Sequence, residues 1–507
     1  MAETYPPPAE RRLLTLFLMM SAVMNLVDTT IANVALPHMQ GTTSSSREEI
    51  TWVLTSYIVA SAMFTPLTGW LARRFGRKRL LLISIVGFTA VSALCGMART
   101  LDELVLARLL QGVFGSSLVP MTQSTLLDIN PPSQHGKAMA IFGLAAILGP
   151  LIGPLAGGWL TDNLSWRWVF YINLPFGLFS FLGLSATMPA RPPDRTARLD
   201  FFGFGLLALA LGSLQLMLDR GQKLDWLASG EIVFELTLCL LALAMFVIHS
   251  LTARRPFISP AIFADRNFVI ATMIGFSLGV LIYSAMALMP PMLEALYGYS
   301  TTRVGLVLGP RALGSLIAML LVGRLIGRLD SRLLVAAGLL LMALSMIQMA
   351  HLSLASDNRV ILISGMIQGL GSSFIFVPLT TMAFATLSAH LRDEGSALNA
   401  MIRNMGASAG IAVVEALTFR NTETVHSRLA EGLRPDSPAM ALRFGGFDWG
   451  SLSQVSGLEA LLTRQAMMVS YIDSFWLLAV LGVVSAPFVF LLRKPRNAAR
   501  GPAVVEH

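Results

Sequence analysis

Gly143-Leu-Ala-Ala-Ile-Leu-Gly149-Pro150-Leu-Ile-Gly153-Pro154-Leu-Ala-Gly157-Gly158-Trp159-Leu160 is apolar and long enough to cross a bilayer, yet it is dense in glycine and proline. Gly149, Gly153 and Gly157 recur every four residues, so on a helix they share one face. Pro150 and Pro154 each remove a backbone hydrogen bond, which lipid tolerates only where neighbouring protein re-satisfies the freed carbonyls. The stretch therefore reads as a helix buried among other helices, bent, and packed backbone to backbone. A face of this kind serves helix packing alone or forms a flexing element, and the stretch by itself leaves both readings open.

Its surroundings give it a setting. Of the 507 residues, 54% are hydrophobic and 13% charged, against about a quarter charged in soluble chains. With a mean hydropathy of +0.67, the chain is an all-α polytopic membrane protein with the lipid bilayer as its solvent. The net charge of +8 is then assigned to loops, and no nucleic-acid partner is expected. Cys95 and Cys239 lie inside apolar runs and match no disulfide framework or metal spacing. The sequence holds no His/Cys metal set, phosphate loop or nucleophile–base arrangement. No metal, cofactor or enzymatic activity is expected, nor direct drive by ATP. The start MAETYPPPAERR runs into an apolar segment that no small-residue cleavage site ends, so that segment reads as a first span and not a signal peptide.

Apolar runs of about 20 residues mark fourteen spans. Six fall between residues 13 and 188, two between 203 and 251, and six between 268 and 492. Loops on the side of Arg73-Arg74-Phe75-Gly76-Arg77-Lys78-Arg79 hold about twice the Lys and Arg of the other side, which places both termini in the cytoplasm. Several features recur at offsets of about 253 to 257 residues, the mark of two parallel six-helix halves. Ala35-Leu36-Pro37 matches Leu288-Met289-Pro290, and Gln111-Gly112 matches Gln368-Gly369. Gly149 and Gly153 match Gly406 and Gly410. The expected organisation is a first half over 1–190, a linker with two inserted helices over 191–265, a second half over 266–492 with a long outer loop at 420–467, and a tail over 493–507. Span 5 carries prolines and span 13 none. Span 5 is therefore expected to bend, with span 13 as its stiffer partner across the half-to-half interface.

Intramembrane polar residues are costly in hydrocarbon and usually face a cavity or a partner. Asp28 lies roughly 13 Å, and Arg108 roughly 8 Å, from the outer face at 1.5 Å per residue. Depth thus lets the two meet, bridged by Gln111 or water. The pair reads as a proton carrier whose partner is removable, or as a permanent ion pair fixing spans 1 and 4. Asn25 and Asn33 on span 1, Arg311 in the middle of span 10, and Arg403 with Asn404 on span 13 are candidates for a cavity wall or a substrate contact. For Arg311, structural pairing is an equal alternative. In the loop between spans 2 and 3, Gly69 and Gly76 permit a tight turn. Arg73, Arg74, Arg77 and Lys78 there clip the halves together in one state or simply anchor the loop.

That loop resembles the signature of the major facilitator superfamily. Leu26-Val27-Asp28-Thr29-Thr30-Ile31-Ala32-Asn33-Val34-Ala35-Leu36-Pro37 resembles the span 1 motif of its fourteen-span drug:proton antiporters. Arg108-x-x-Gln111-Gly112-x-x-Gly115 resembles their span 4 motif, and the stretch from Gly143 their span 5 motif. Trp166-Arg167-Trp168-Val169-Phe170-Tyr171-Ile172-Asn173-Leu174-Pro175-Phe176-Gly177 and Leu218-Asp219-Arg220-Gly221-Gln222-Lys223-Leu224-Asp225-Trp226 look like the EmrB-type multidrug exporters. The resemblance implies a proton-coupled antiporter exporting small hydrophobic or toxic compounds by alternating access, sited in a bacterial cytoplasmic (inner) membrane. Arg108 is then associated with proton coupling. Gly149, Pro150, Gly153, Pro154, Gly157 and Gly158 form the conformational motif. A periplasmic adaptor (membrane fusion protein) and an outer-membrane channel are implied as partners. A lipid or metabolite permease on the same fold, and a non-transporting receptor or scaffold, are the competing readings. One position departs from the pattern: Arg73 stands where the family loop often carries Asp, so a clip relying on that carboxylate is expected to be made differently or to be weaker.

Overall fold

The computed structural model describes all residues except 1–4, 47–48, 132–133, 190–193, 195–197, 255, 327, 389–390, 434–446, 449 and 494–507. Among the described residues there are fourteen long helices. The first half contains α1 (Pro8–Thr43), α2 (Glu49–Phe75), α3 (Arg77–Met97), α4 (Leu101–Ile129), α5 (His135–Asn163) and α6 (Trp168–Thr187). The inserted pair is α7 (Phe201–Arg220) and α8 (Gly230–Thr252). The second half contains α9 (Arg266–Tyr297), α10 (Thr301–Leu325), α11 (Ser331–Ala350), α12 (Asn358–Ala385), α13 (Arg392–Glu431) and α14 (Leu452–Phe488). Twelve are long and apolar enough to cross a membrane, and the remaining two are the glycine-face helices α5 and α13. On α13, Arg403, Asn404 and Glu415 dilute an otherwise apolar run.

Packing follows the sequence repeat. Helix α1 packs on α5 and α6, as α9 packs on α13 and α14. The pair α2–α4 corresponds to α10–α12, and α3 with α4 and α6 corresponds to α11 with α12 and α14. The inserted α7 lies against α2 and reaches α13 of the other half, while α8 packs on α7. Apolar side chains along α8 such as Phe234, Leu241 and Ile248 stay exposed, as befits a helix bordered by lipid.

The glycine faces have a defined neighbour, and it is not the other half. A methyl group at Gly149 would stand 2.6 Å from Leu26 Cβ, and one at Gly153 would meet Thr30 and come 3.1 Å from the Ile31 nitrogen. In the second half, Gly406 lies against the Phe276 carbonyl, and a methyl at Gly410 would stand 2.8 Å from Val280 Cα. Span 5 therefore meets α1 and span 13 meets α9. The expected pairing of these two faces across the half-to-half interface is replaced by two equivalent contacts, one inside each half. Gly158 has open space, with Val34 no nearer than 3.9 Å. The side chains of Pro150 and Pro154 lie outside the described residues.

The halves meet instead near the face that carries the loop 69–79, termed here the basic face. There the start of α5 packs on the end of α10 and on α12. Phe142 stacks on Phe376 with 6.1 Å between ring centroids, and Gly143 lies against Met319 and Phe376. Ser396 on α13 donates to the Pro120 carbonyl at 3.0 Å.

At the far face the chain is more helical than expected. The stretch 420–467 is bracketed by helix, since α13 continues to Glu431 and α14 begins at Leu452. Helix α13 has 40 residues, about 60 Å at 1.5 Å per residue, twice the roughly 30 Å hydrocarbon core. Its polar outer part leans on α14, where Asn421 donates to Asp473 at 2.6 Å.

Overpacking a closed backbone contact costs about 1–3 kcal/mol. Gly153→Ala and Gly406→Ala should each lower the midpoint of thermal unfolding in detergent, whereas Gly158→Ala should leave it unchanged. Scanning fluorimetry of the three purified variants reads this, and equal midpoints would show that the stripes tolerate side chains.

Candidate transport site and interhalf clamp

Arg108 and Gln111 stand one helical turn apart on α4 and so share a face. Asp28 faces them from α1, Ser92 and Cys95 from α3, and Asn173 from the second turn of α6. Arg108 Nη1 lies 2.6 Å from Asp28 Oδ2, with both side chains buried. The other carboxylate oxygen accepts from Gln111 Nε2 at 3.0 Å and from Asn173 Nδ2 at 2.8 Å. Arg108 also donates to Gln111 Oε1 at 2.8 Å and, through Nε, to the Val53 carbonyl at 3.1 Å. Its guanidinium sits 4.5 Å from the centroid of the Tyr57 ring and 5.5 Å from that of Phe170. Ser92 Oγ accepts from both amides and donates to the Phe170 carbonyl at 3.0 Å.

A buried ion pair holds only where its remaining hydrogen-bonding capacity is met. Here two amides, a carbonyl and two aromatic faces meet it. Five helices of one half, α1, α2, α3, α4 and α6, thereby share one network around the Asp28 carboxylate. Sequence reasoning passed over Tyr57, Ser92 and, bonded to the carboxylate itself, Asn173 as site residues. The signal for Asn173 was an amide in the apolar run Tyr171-Ile172-Asn173-Leu174, at the same end of the bundle as Arg108.

The other candidates separate. Asn25 donates to Tyr57 Oη at 2.9 Å and to the Gly115 carbonyl at 3.2 Å, tying α1 to α2 and α4. Asn33 and Asn404 are exposed. Arg403 lines a small, partly open cleft together with Gly275, Leu278, Phe376, Leu379, Thr380 and Asn399. Arg311 lies on α10 where Gly365 and Gly369 of α12 come close.

The two halves are unlike in charge. The offset of about 257 residues takes Arg108 to Gly365 and Gln111 to Gln368, and that of about 253 takes Asp28 to Leu281. The backbone contact is kept, because Gly112 packs on the Tyr57 carbonyl and Gly369 on the Arg311 carbonyl. The ion pair has no counterpart there.

At the basic face the loop 69–79 reaches across to the first turn of α13. Arg73 Nη1 lies 3.3 Å from Glu394 Oε2, and Arg77 Nη2 lies 2.8 Å from Asp393 Oδ2. Arg77 also pairs with Asp128, which Arg392 approaches at 3.4 Å. A methyl at Gly69 would stand 2.9 Å from Glu394 Cα, so the glycine permits the approach. Gly76 has φ of 84°, a conformation that favours glycine. Lys78 Nζ donates to the Ser185 carbonyl at 2.8 Å. The departure at position 73 thus has a partner: the cation is on the loop and the carboxylate, Glu394, comes from the second half. The interhalf bonds named here all lie at the basic face.

Two parallel six-helix repeats around a buried intramembrane ion pair, closed against each other at one face, define a membrane transporter. The chain belongs to the Major Facilitator Superfamily, whose family model matches residues 18–411, and it is a transporter, not an enzyme. It is 32% identical over 498 residues to the multidrug export protein EmrB of Escherichia coli K12, covering 97% of both chains. It is 32% identical over 509 residues to the fatty acid resistance protein FarB of Neisseria gonorrhoeae, covering 98% of this chain and 99% of that one. Among solved structures, the proton:xylose symporter XylE shares the fold with a TM-score of 0.62 at 14% identity, with 95% of each chain covered.

Removing one member of a buried ion pair costs about 3–5 kcal/mol, because the other charge is left unpaired. Asp28→Asn and Arg108→Gln should each lower the unfolding midpoint, and the double variant should lose less than the sum. Strict additivity in that cycle would show that the pair is not coupled. At the clamp, Arg73→Glu should speed alkylation of a cysteine placed at Ser396, and Arg73→Glu with Glu394→Arg should slow it again. Alkylation indifferent to both would mean that the clamp does not hold the halves closed.

Proposed function

We propose that this transporter is a proton-coupled multidrug exporter that moves hydrophobic, toxic compounds out of the cytoplasm, with Asp28 as the proton carrier. The observation that carries the reading is the Asp28–Arg108–Gln111–Asn173 network, present in one half and absent from the other. A purely structural device would be expected in both repeats. The names of the EmrB and FarB relatives, multidrug export and fatty acid resistance, support toxic hydrophobic cargo.

In this reading all fourteen helices span a bacterial inner membrane, both termini are cytoplasmic, and the basic face is the cytoplasmic one. The conformation is then outward-facing, with the Arg73–Glu394 and Arg77–Asp393 pairs shutting the inner side. A proton arriving from outside neutralises Asp28 and frees Arg108 and the two amides to re-pair. That rearrangement shifts α1 against α4 and α6 and biases the halves toward opening inward. Compound then enters from the cytoplasm, and the proton leaves to the same side. Gln111 and Asn173 are positioning residues that hold the carboxylate in its paired geometry. The outer parts of α13 and α14 are the surface where the periplasmic adaptor and its outer-membrane channel would dock.

In everted vesicles holding an acid-inside gradient, adding a transported compound should dissipate the gradient, and Asp28→Asn should abolish this at normal expression. The reading fails if no member of a panel of hydrophobic anions, cations and neutral compounds has that effect and no gradient drives their movement. Full coupling in Asp28→Asn would remove Asp28 from the mechanism.

A further inference from the structure

The second half holds two arginines inside the bundle, Arg311 on α10 and Arg403 on α13. Neither has an ion-pair partner among the described residues. Tyr283 on α9 is the titratable side chain facing both. The first half shows how this chain settles a permanent intramembrane arginine: Arg108 has a carboxylate, an amide, a carbonyl and two rings. Arg403 has a ring alone, with its guanidinium carbon 5.4 Å from the Phe376 centroid. Cation–π contact offsets part of the desolvation of a guanidinium and leaves its N–H donors unused. A cation at this depth requires water or an anion.

Position adds to charge. Phe376, beneath Arg403, is the ring that stacks on Phe142 of the first half, so Arg403 stands directly over the apolar seal between the halves. The cleft it lines also offers Asn399, Thr380 and the apolar Leu278 and Leu379. Arg311 lies higher, 14 residues from the inner end of α10 at Leu325. Gly365 opposite leaves room for its side chain, since a methyl at that glycine would stand 3.9 Å from Arg311 Cβ. The lining of that cleft therefore presents one cation, two neutral polar groups and aromatic and aliphatic surface, with no carboxylate among the described residues that line it, and Arg311 is the second unpaired cation inside the same half.

We propose that Arg403 and Arg311 form the cargo site for organic anions: compounds with one carboxylate or comparable acid on an aromatic or alkyl body. The acid takes the free guanidinium donors in the bidentate manner, and the body lies on Phe376 and Leu278. The unbalanced positive field attracts anions and disfavours lipophilic cations. This rests on the export reading for its direction of transport, but not for binding itself.

The test uses the full-length protein in phosphatidylcholine nanodiscs and a shape-matched series: 2-naphthoate, neutral 2-naphthamide and cationic 2-naphthylmethylammonium. Calorimetry against empty discs should show the carboxylate binding most tightly. Arg403→Gln and Arg311→Gln should weaken it roughly ten- to hundredfold, the size of a lost charge-assisted hydrogen bond, while leaving naphthamide within about threefold. Arg403→Lys should restore part of the loss. Equal binding of the cation, or unchanged naphthoate affinity in both glutamine variants, overturns the proposal. Competitive displacement of naphthoate by phosphatidylglycerol, without naphthoate movement in vesicles, makes the site a lipid's and also overturns it. Selective binding in a protein that moves no protons would sink the export reading and leave the anion site standing.

Discussion

A charge placed in hydrocarbon has to be answered inside the protein, and most of this architecture follows from how each answer is made. Asp28 and Arg108 answer each other, and their surplus donors and acceptors draw in α2, α3 and α6. Because the network is shared by five helices, none of them can shift without breaking a hydrogen bond in a medium with no water to replace it. The same rule separates the halves. The second half has Leu281 and Gly365 at the corresponding places, and Arg403 lines its cleft with no carboxylate among the described lining residues.

Glycine supplies the complementary constraint. Where Gly149 and Gly153 meet α1 and where Gly406 and Gly410 meet α9, backbones approach closely enough that dispersion and small-residue packing hold helices together without a hydrophobic drive. Each half is thereby tight within itself. The contact between halves is of another kind, ion pairs and stacked rings at the basic face, and such contacts break and re-form at less cost than interlocked backbones. A molecule with stiff halves and a polar, partly exposed seam between them has one soft degree of freedom, the rocking of one half on the other.

Much of this was legible in the residues. Apolar run lengths gave the helices, and constant offsets gave the repeat, since both depend on local composition. Depth along two antiparallel spans sufficed to bring Asp28 to Arg108. Asn173 escaped because an asparagine near a span end is ordinary, and only the packing of α6 on α1 and α3 turns it toward the carboxylate. The partner of Arg73 escaped for a related reason: Glu394 lies 321 residues away, and local sequence does not reveal which carboxylate a docked half presents. The glycine faces were recognised but assigned to the wrong neighbour, because a repeat identifies equivalent positions without saying whether they face each other or face equivalent partners. The outer loop proved shorter because a charged, exposed stretch continues as helix when it leans on another, as α13 does on α14.

The unequal halves carry a consequence for ancestry. A chain built by doubling begins with two identical networks, and each copy is free to drift where the other suffices. Gln368 occupies the place of Gln111, buried, with its amide nitrogen unpartnered, a donor whose acceptor position now holds a leucine. In this chain one half carries the ionic network and the other carries Leu281 and Gly365 in its place. Changes of cargo preference would then accumulate in α9, α10, α12 and α13, while the opposing six helices remain comparatively resistant to substitution.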